Sequence, residues 1–247
     1  MDKIPVNNVF AAVFDKSVLD PLLAVLDKKS VRFWGTEGTV KYLKSRGFSA
    51  HSVVRGFDFD GRVKSLDRVN FIRILADRTK KSHMIALRKE LSYSSSGAKR
   101  SREVASSILS FPCPPEAGPP LAEKRESRTG SRIYSAMRSS SFGLRVYKYG
   151  MTNSVWEPFD LVIVDLYAPD KKNFPESMDI GGQALIRAAV KNYKNVAVAF
   201  DARNINEVAS EIKKNNGSTT LSFRKKQAKF ALKFIADRGV IESKFGL

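Results

Sequence analysis

The chain has a single cysteine, Cys113, so an internal disulfide is excluded. Its only imidazoles are His51 and His83, too few for a metal-ligand cluster, and no metal is expected. No apolar run approaches the roughly 20 residues that a membrane span needs. The start, MDKIPVNNVF, lacks the apolar core and small-residue cleavage site of a secretory leader. A soluble, cytoplasmic protein with no membrane partner is the expectation. Acidic residues are also scarce, 25 against 43 Lys and Arg, giving a formal net charge of +18. Such a surface attracts phosphates of any kind, from nucleotides to nucleic acid, and charge alone does not choose between them. Roughly half of the excess falls between Lys80 and Lys148, an uneven distribution for a small metabolic enzyme.

What is present is enough apolar residue, 43% of 247, to bury one good core. Val9 to Phe14 is a short apolar run that ends at Asp15-Lys16-Ser17, and Leu19 to Leu26 carries apolar residues at helical spacing. The order strand, loop, helix repeats in Val31 to Trp34, Gly35 to Thr39 and Val40 to Arg46. Ser52 to Val54 reads as a third strand, followed by a loop over Gly56 to Lys64 and a helix from about Val69 to Asp77. Phe159 to Asp165 is the clearest buried strand and Val196 to Phe200 another. Two amphipathic helices, Ile205 to Asn215 and Leu221 to Asp237, follow on either side of Gly217. The alternation predicts an α/β domain, a three-layer doubly wound and mainly parallel sheet, with ligands at the edge where the strands end.

Residues 92–152 break this pattern with Ser92 to Gly97, Pro112-Cys113-Pro114-Pro115, Gly118-Pro119-Pro120 and Ser139 to Ser141. They read as a basic Ser/Pro/Gly-rich insertion, flexible and solvated, in an otherwise single domain. Ile133, Tyr134, Phe142 and Tyr147 among its Arg and Lys make weak contact with single-stranded nucleic acid the competing reading.

The chain is organised around MDIGGQALIRAAVKN, Met178 to Asn192. Ala184, Leu185, Ala188 and Ala189 recur at helical spacing, so Gln183 to Lys191 is predicted as a helix with Gly181 and Gly182 at its mouth. Asp179 then stands before an N-terminus whose dipole favours negative charge, and the glycines let a planar ligand approach the main chain. Lys16 after one strand and the hydroxyl-bearing turn Thr36 to Thr39 after the next form the kind of loops that collect phosphate. Any of these stretches in isolation would more often be an ordinary turn or cap.

Asp179-Ile180-Gly181-Gly182 with Arg187-Ala188-Ala189 and Lys191-Asn192 resembles the cyclohydrolase half of the AICAR transformylase/IMP cyclohydrolase family. Phe14-Asp15-Lys16-Ser17 is similar to that family's S-D-K-T, Gly35-Thr36-Glu37-Gly38-Thr39 to its S-T-G-G-T, Gly61-Arg62-Val63-Lys64-Ser65-Leu66 to its G-R-V-K-T-L, and Asp165-Leu166-Tyr167 to its N-L-Y. The resemblance covers residues 9–78 and 156–240. It implies a methylglyoxal-synthase-like fold and cofactor-free closure of 5-formamidoimidazole-4-carboxamide ribotide to inosine monophosphate. Lys191 would transfer protons, Lys64 and Tyr167 would stabilise the oxyanion, and Asp179 would orient the carboxamide and hold Lys191 in its working charge state. Phe14, Asp15, Lys16, Thr36, Glu37, Gly38, Thr39, Arg62, Val63, Ser65, Val164, Asp165, Ile180, Gly181 and Gly182 would bind the ribotide. A separate formyltransferase would supply the substrate, since the transformylase half is not in this chain, and a homodimer is compatible with the family.

The chain departs from the family at Glu37 for glycine, Asp67 and Phe71 for two histidines, Asp165 for asparagine and Tyr193 for histidine. An acid at 165 cannot donate the hydrogen bonds an amide can. Two rivals remain open: a nucleotide-sensing domain that binds phosphate without turnover, and a nucleic-acid-binding protein on the same scaffold.

Overall fold

A computed structural model describes residues 2–53, 66–95 and 157–245. Five parallel strands form the central sheet: β2 (Asn8–Val13), β3 (Arg32–Gly35), β4 (Ser49–Ser52), β5 (Leu161–Asp165) and β6 (Ala197–Ala199), in the order β4-β3-β2-β5-β6. A separate antiparallel pair joins β1 (Lys3–Pro5) to β7 (Ser218–Thr220). The helices are α1 (Asp20–Leu23), α2 (Glu37–Ser45), α3 (Arg68–Leu75), α4 (Lys81–Ser95), α5 (Ile180–Lys191), α6 (Ala202–Lys214) and α7 (Leu221–Ser243).

The apolar strands lack a polar face because both faces of the sheet are covered. Alternate residues point to opposite sides. Val9, Ala11, Val13, Leu161 and Ile163 join one core cluster with Leu22, Leu43, Ile205 and Ile212. Phe10, Val162, Val164 and Val198 join the other with Leu185, Ile186, Ala189, Ala231 and Ile235. The result is the three-layer, doubly wound sheet that the alternation predicts.

Asp160, buried just ahead of β5, ties the opposite end of the sheet together. One carboxylate oxygen accepts from the amides of Asn7 and Asn8 at 2.9 and 2.6 Å, and the other pairs with Arg78. The register β2 to β5, Val9 opposite Leu161 through Val13 opposite Asp165, follows directly from that anchor.

Several boundaries differ from the sequence reading. β4 comes earlier than Ser52 to Val54, because Gly47 at φ 84° turns the chain out of α2 and Phe48 packs edge-on against Phe33 at 5.4 Å. Helix α4 was not predicted, and the chain is still helical at Ser95, inside the segment expected to be an insertion from 92 onward. Residues 96–156, most of that segment, lie outside the described residues, as do 54–65. Helix α5 begins at Ile180, so Gly181 and Gly182 belong to its first turn.

Candidate active site

Strand order reverses between β2 and β5, since β2, β3 and β4 succeed one another in one direction and β5 and β6 in the other. In open parallel sheets the crevice beyond the strand ends at such a point is where ligands sit. Phe14 to Lys16 follow β2, Thr36 to Thr39 follow β3, and Asp165 to Tyr167 close β5.

The first two loops meet. Lys16 lies across Gly38, with Cε 3.6 Å and Nζ 4.0 Å from where a Cβ on that glycine would stand. The ammonium also donates to the Phe14 carbonyl at 2.6 Å. Thr39 is fully buried, and its hydroxyl accepts from the Val13 amide at 3.3 Å and lies 3.2 Å from the Thr36 hydroxyl. Thr39 therefore fastens the start of α2 to the end of β2, while Glu37 is exposed on the first turn of that helix.

On the other side of the reversal, Asp179 caps α5 by accepting from the Gly182 amide at 2.7 Å. A Cβ on Gly182 would stand 2.2 Å from Leu166 Cδ2 and 2.9 Å from each Asp179 carboxylate oxygen. Glycine at 182 thus allows the helix start to press against the end of β5, which brings Asp179 and Tyr167 into one neighbourhood. The Tyr167 ring lies 6.4 Å from that of Phe14, tilted by 60°. Phe14 is 69% exposed and Ile180 63%, a large apolar exposure for the edge of a sheet.

Burial raises the Asp179 carboxyl above its ordinary range, opposed by the Gly182 amide and by Arg238 and reinforced by Glu242. Burial likewise raises Tyr167, with the Asp179 charge adding to it. Asp165 is raised by burial and by the charges of Asp15 and Asp201, although it accepts from the Asp15 amide at 3.3 Å. Asp15 itself is lowered by the Ser17 hydroxyl and amide.

Other assigned residues stand elsewhere. Lys191 is the last residue of α5, so 12 residues at 1.5 Å each put it about 18 Å along the axis from Asp179. The expected coupling of Asp179 to the working charge of Lys191 does not fit this geometry. The Val164 side chain is buried in the core below the edge. Arg62, Val63, Lys64 and Ser65 lie outside the described residues. Of the departures from the family, Asp67 caps α3 by accepting from the Val69 amide at 2.6 Å, Phe71 packs against the core, and the Tyr193 carbonyl accepts from Arg224 at 3.1 Å.

Sequence reasoning missed Arg238 and Glu242, a buried pair near the end of α7. The available signal was their i, i+4 spacing, but both lie beyond Asp237, where the helix was expected to stop. Among the described residues, no group of three or more His, Cys, Asp or Glu could hold a metal, and no helix is long and apolar enough to cross a membrane.

No family model matches the chain. The bifunctional purine biosynthesis protein PurH of Paracoccus denitrificans (strain Pd 1222) is 28% identical over 234 residues, covering 93% of this chain and 34% of the relative. The PurH protein of Clostridium kluyveri (strain ATCC 8527 / DSM 555 / NBRC 12016 / NCIMB 10680 / K1) is 28% identical over 235 residues, covering 90% and 34%. That of Cereibacter sphaeroides (strain ATCC 17025 / ATH 2.4.3) is 26% identical over 237, covering 91% and 33%. Among solved structures, the crystal structure of ForH superposes with a TM-score of 0.58 at 20% identity, covering 97% of this chain and 98% of that one, and so shares the fold. Along about nine tenths of its length the chain is thus similar to bifunctional purine biosynthesis proteins, and it spans about a third of theirs.

Proposed function

We propose that the chain acts in purine biosynthesis as an IMP cyclohydrolase, closing 5-formamidoimidazole-4-carboxamide ribotide to inosine monophosphate. The observation that carries this reading is Lys16 lying across Gly38 on one side of the strand reversal, opposite the Asp179-capped glycine turn. A basic side chain over a helix start suits a phosphate, and a glycine turn with a half-buried acid suits a flat, amide-bearing ring. The relatives' shared name supports the pathway.

The carboxamide nitrogen attacks the formyl carbon, a C–N bond forms, and the formyl oxygen leaves as water with one proton from each of the two nitrogens. The nitrogen is a poor nucleophile, so alignment and proton transfer carry the barrier. In this reading Asp179, with its raised carboxyl, takes the carboxamide proton and returns it to the departing oxygen. Tyr167 and the first-turn amides of α5 stabilise the oxyanion, with Lys64 a further donor by family resemblance. Lys16 and Thr36 hold the phosphate. The formylated substrate must come from a formyl-transfer reaction.

A second reading, nucleotide binding without turnover, gains support from the distance of Lys191 from Asp179. Incubating the purified protein with the formylated ribotide and following inosine monophosphate separates the two. Product formation above the uncatalysed rate is expected, and tight monophosphate binding without product would establish the sensor instead.

A further inference from the structure

Arg238 and Glu242 are 5% and 9% exposed, although Val240 and Ile241 between them on α7 are 54% and 45% exposed. Arg238 Nε donates to Glu242 Oε1 at 3.1 Å, and its Nη2 donates to the main-chain carbonyl of Tyr167 at 2.5 Å. Its guanidinium carbon stands 6.0 Å from the centre of the Tyr167 ring. Glu242 accepts in turn from Gln183 Nε2 at 3.4 Å, on the first turn of the helix that Asp179 caps. One buried pair thus reaches both the segment that carries Tyr167 and the first turn of the helix that Asp179 caps. Stability is a poor reason for such a pair, because apolar side chains of similar volume usually serve a core as well or better. Its placement is the feature that needs a reason.

We propose that Arg238, oriented by Glu242, is a positioning residue of the edge site: it holds the main chain at Tyr167 and supplies the positive charge beside Asp179. The charged and titratable groups that act on Asp179 among the described residues are Arg238 and Glu242 from α7, and Tyr167 beyond β5. Arginine is suited to the task because it stays charged at every working pH and its fork reaches Glu242 and the Tyr167 carbonyl together. The role served rests on the cyclohydrolase reading, whereas the electrostatic link to Asp179 does not.

The test uses the full chain with ¹³C-labelled aspartate and follows the Asp179 carboxyl by NMR across pH in wild type, Arg238→Met, Arg238→Lys and Glu242→Gln. Arg238→Met should move the Asp179 midpoint up, Glu242→Gln should move it down, and Arg238→Lys should return it toward wild type. A purely structural pair would lower stability without these opposite shifts. The pH dependence of turnover should follow the same order, with Arg238→Met slower at neutral pH by about tenfold or more and Arg238→Lys only partly restored, since an ammonium lacks the fork. Unmoved midpoints in folded variants overturn the proposal. If Arg238→Met does not fold, Glu242→Gln decides alone, and a midpoint that fails to fall refutes it. A wild type that makes no inosine monophosphate refutes the cyclohydrolase reading, while the NMR titration still judges the link between Arg238 and Asp179.

Discussion

Asp179 and Lys191 occupy opposite ends of one unbroken helix, about 18 Å apart by its rise per residue. A lysine side chain bridges only a fraction of that distance, so the two cannot act on one bond within a single chain. Lys191→Ala should therefore leave inosine monophosphate affinity within about twofold of wild type, well under 1 kcal/mol. Isothermal calorimetry checks this, and a tenfold loss would show that the lysine reaches a ligand by a route this geometry lacks.

Lys16→Ala should have the opposite outcome. It removes one charge-assisted contact, so nucleotide binding should weaken by roughly 1.5 to 3 kcal/mol, about ten- to a hundredfold. Inosine monophosphate should also bind far better than inosine. A nucleic-acid protein whose charge lies between residues 80 and 148 would show neither effect, and titration of both ligands against both proteins decides.

Asp179→Asn separates capping from chemistry. Asparagine caps a helix about as well as aspartate, so α5 should persist. The wild-type carboxyl titrates above its ordinary 3.8 because of burial, so the folded protein holds a proton that the unfolded chain has already released. Its contribution to stability is therefore largest below that ordinary value and falls as pH rises through the raised one. Thermal unfolding of the variant should lose that part of the pH slope and show an equal or higher midpoint at neutral pH, while turnover drops by about a hundredfold or more. A variant that turns over normally would remove Asp179 from proton transfer.

Gly182→Ala tests the contact between α5 and the end of β5. The new methyl would meet Leu166 at 2.2 Å and both Asp179 oxygens at 2.9 Å, so the cap, the leucine or the helix has to shift. A loss of about 1 to 3 kcal/mol is expected from overpacking, read as a lower denaturant midpoint at unchanged slope. Unaltered stability together with full activity would show that the helix start gives way freely.

The sheet was legible because buried parallel strands are written as continuous apolar runs, which is how β2, β3, β5 and β6 stand out. The Asp179 cap was legible from an acid ahead of a helical stripe. Helix α4 was not, since Leu87 is its one buried apolar side chain among those described, and a single residue makes no stripe. Strands β1 and β7 span three residues each, too few for a period to register. At the site, motif spacing located Lys16, Thr36 and Tyr167 but not their surroundings. That Thr39 turns inward, and that Arg238 arrives from the far end of the chain, depends on how the helices pack.

The inward turn of Thr39 has a consequence for how binding proceeds. Its hydroxyl joins α2 to the main chain of β2, so the geometry of the loop from Thr36 to Thr39 is completed by folding itself. A ligand arriving there meets donors already in place and has little loop entropy left to quench, and such preorganisation favours affinity without new contacts. Amide exchange at Val13, which donates to the Thr39 hydroxyl, and at Val40, which donates to the Thr36 carbonyl, should then be slow before any nucleotide is added.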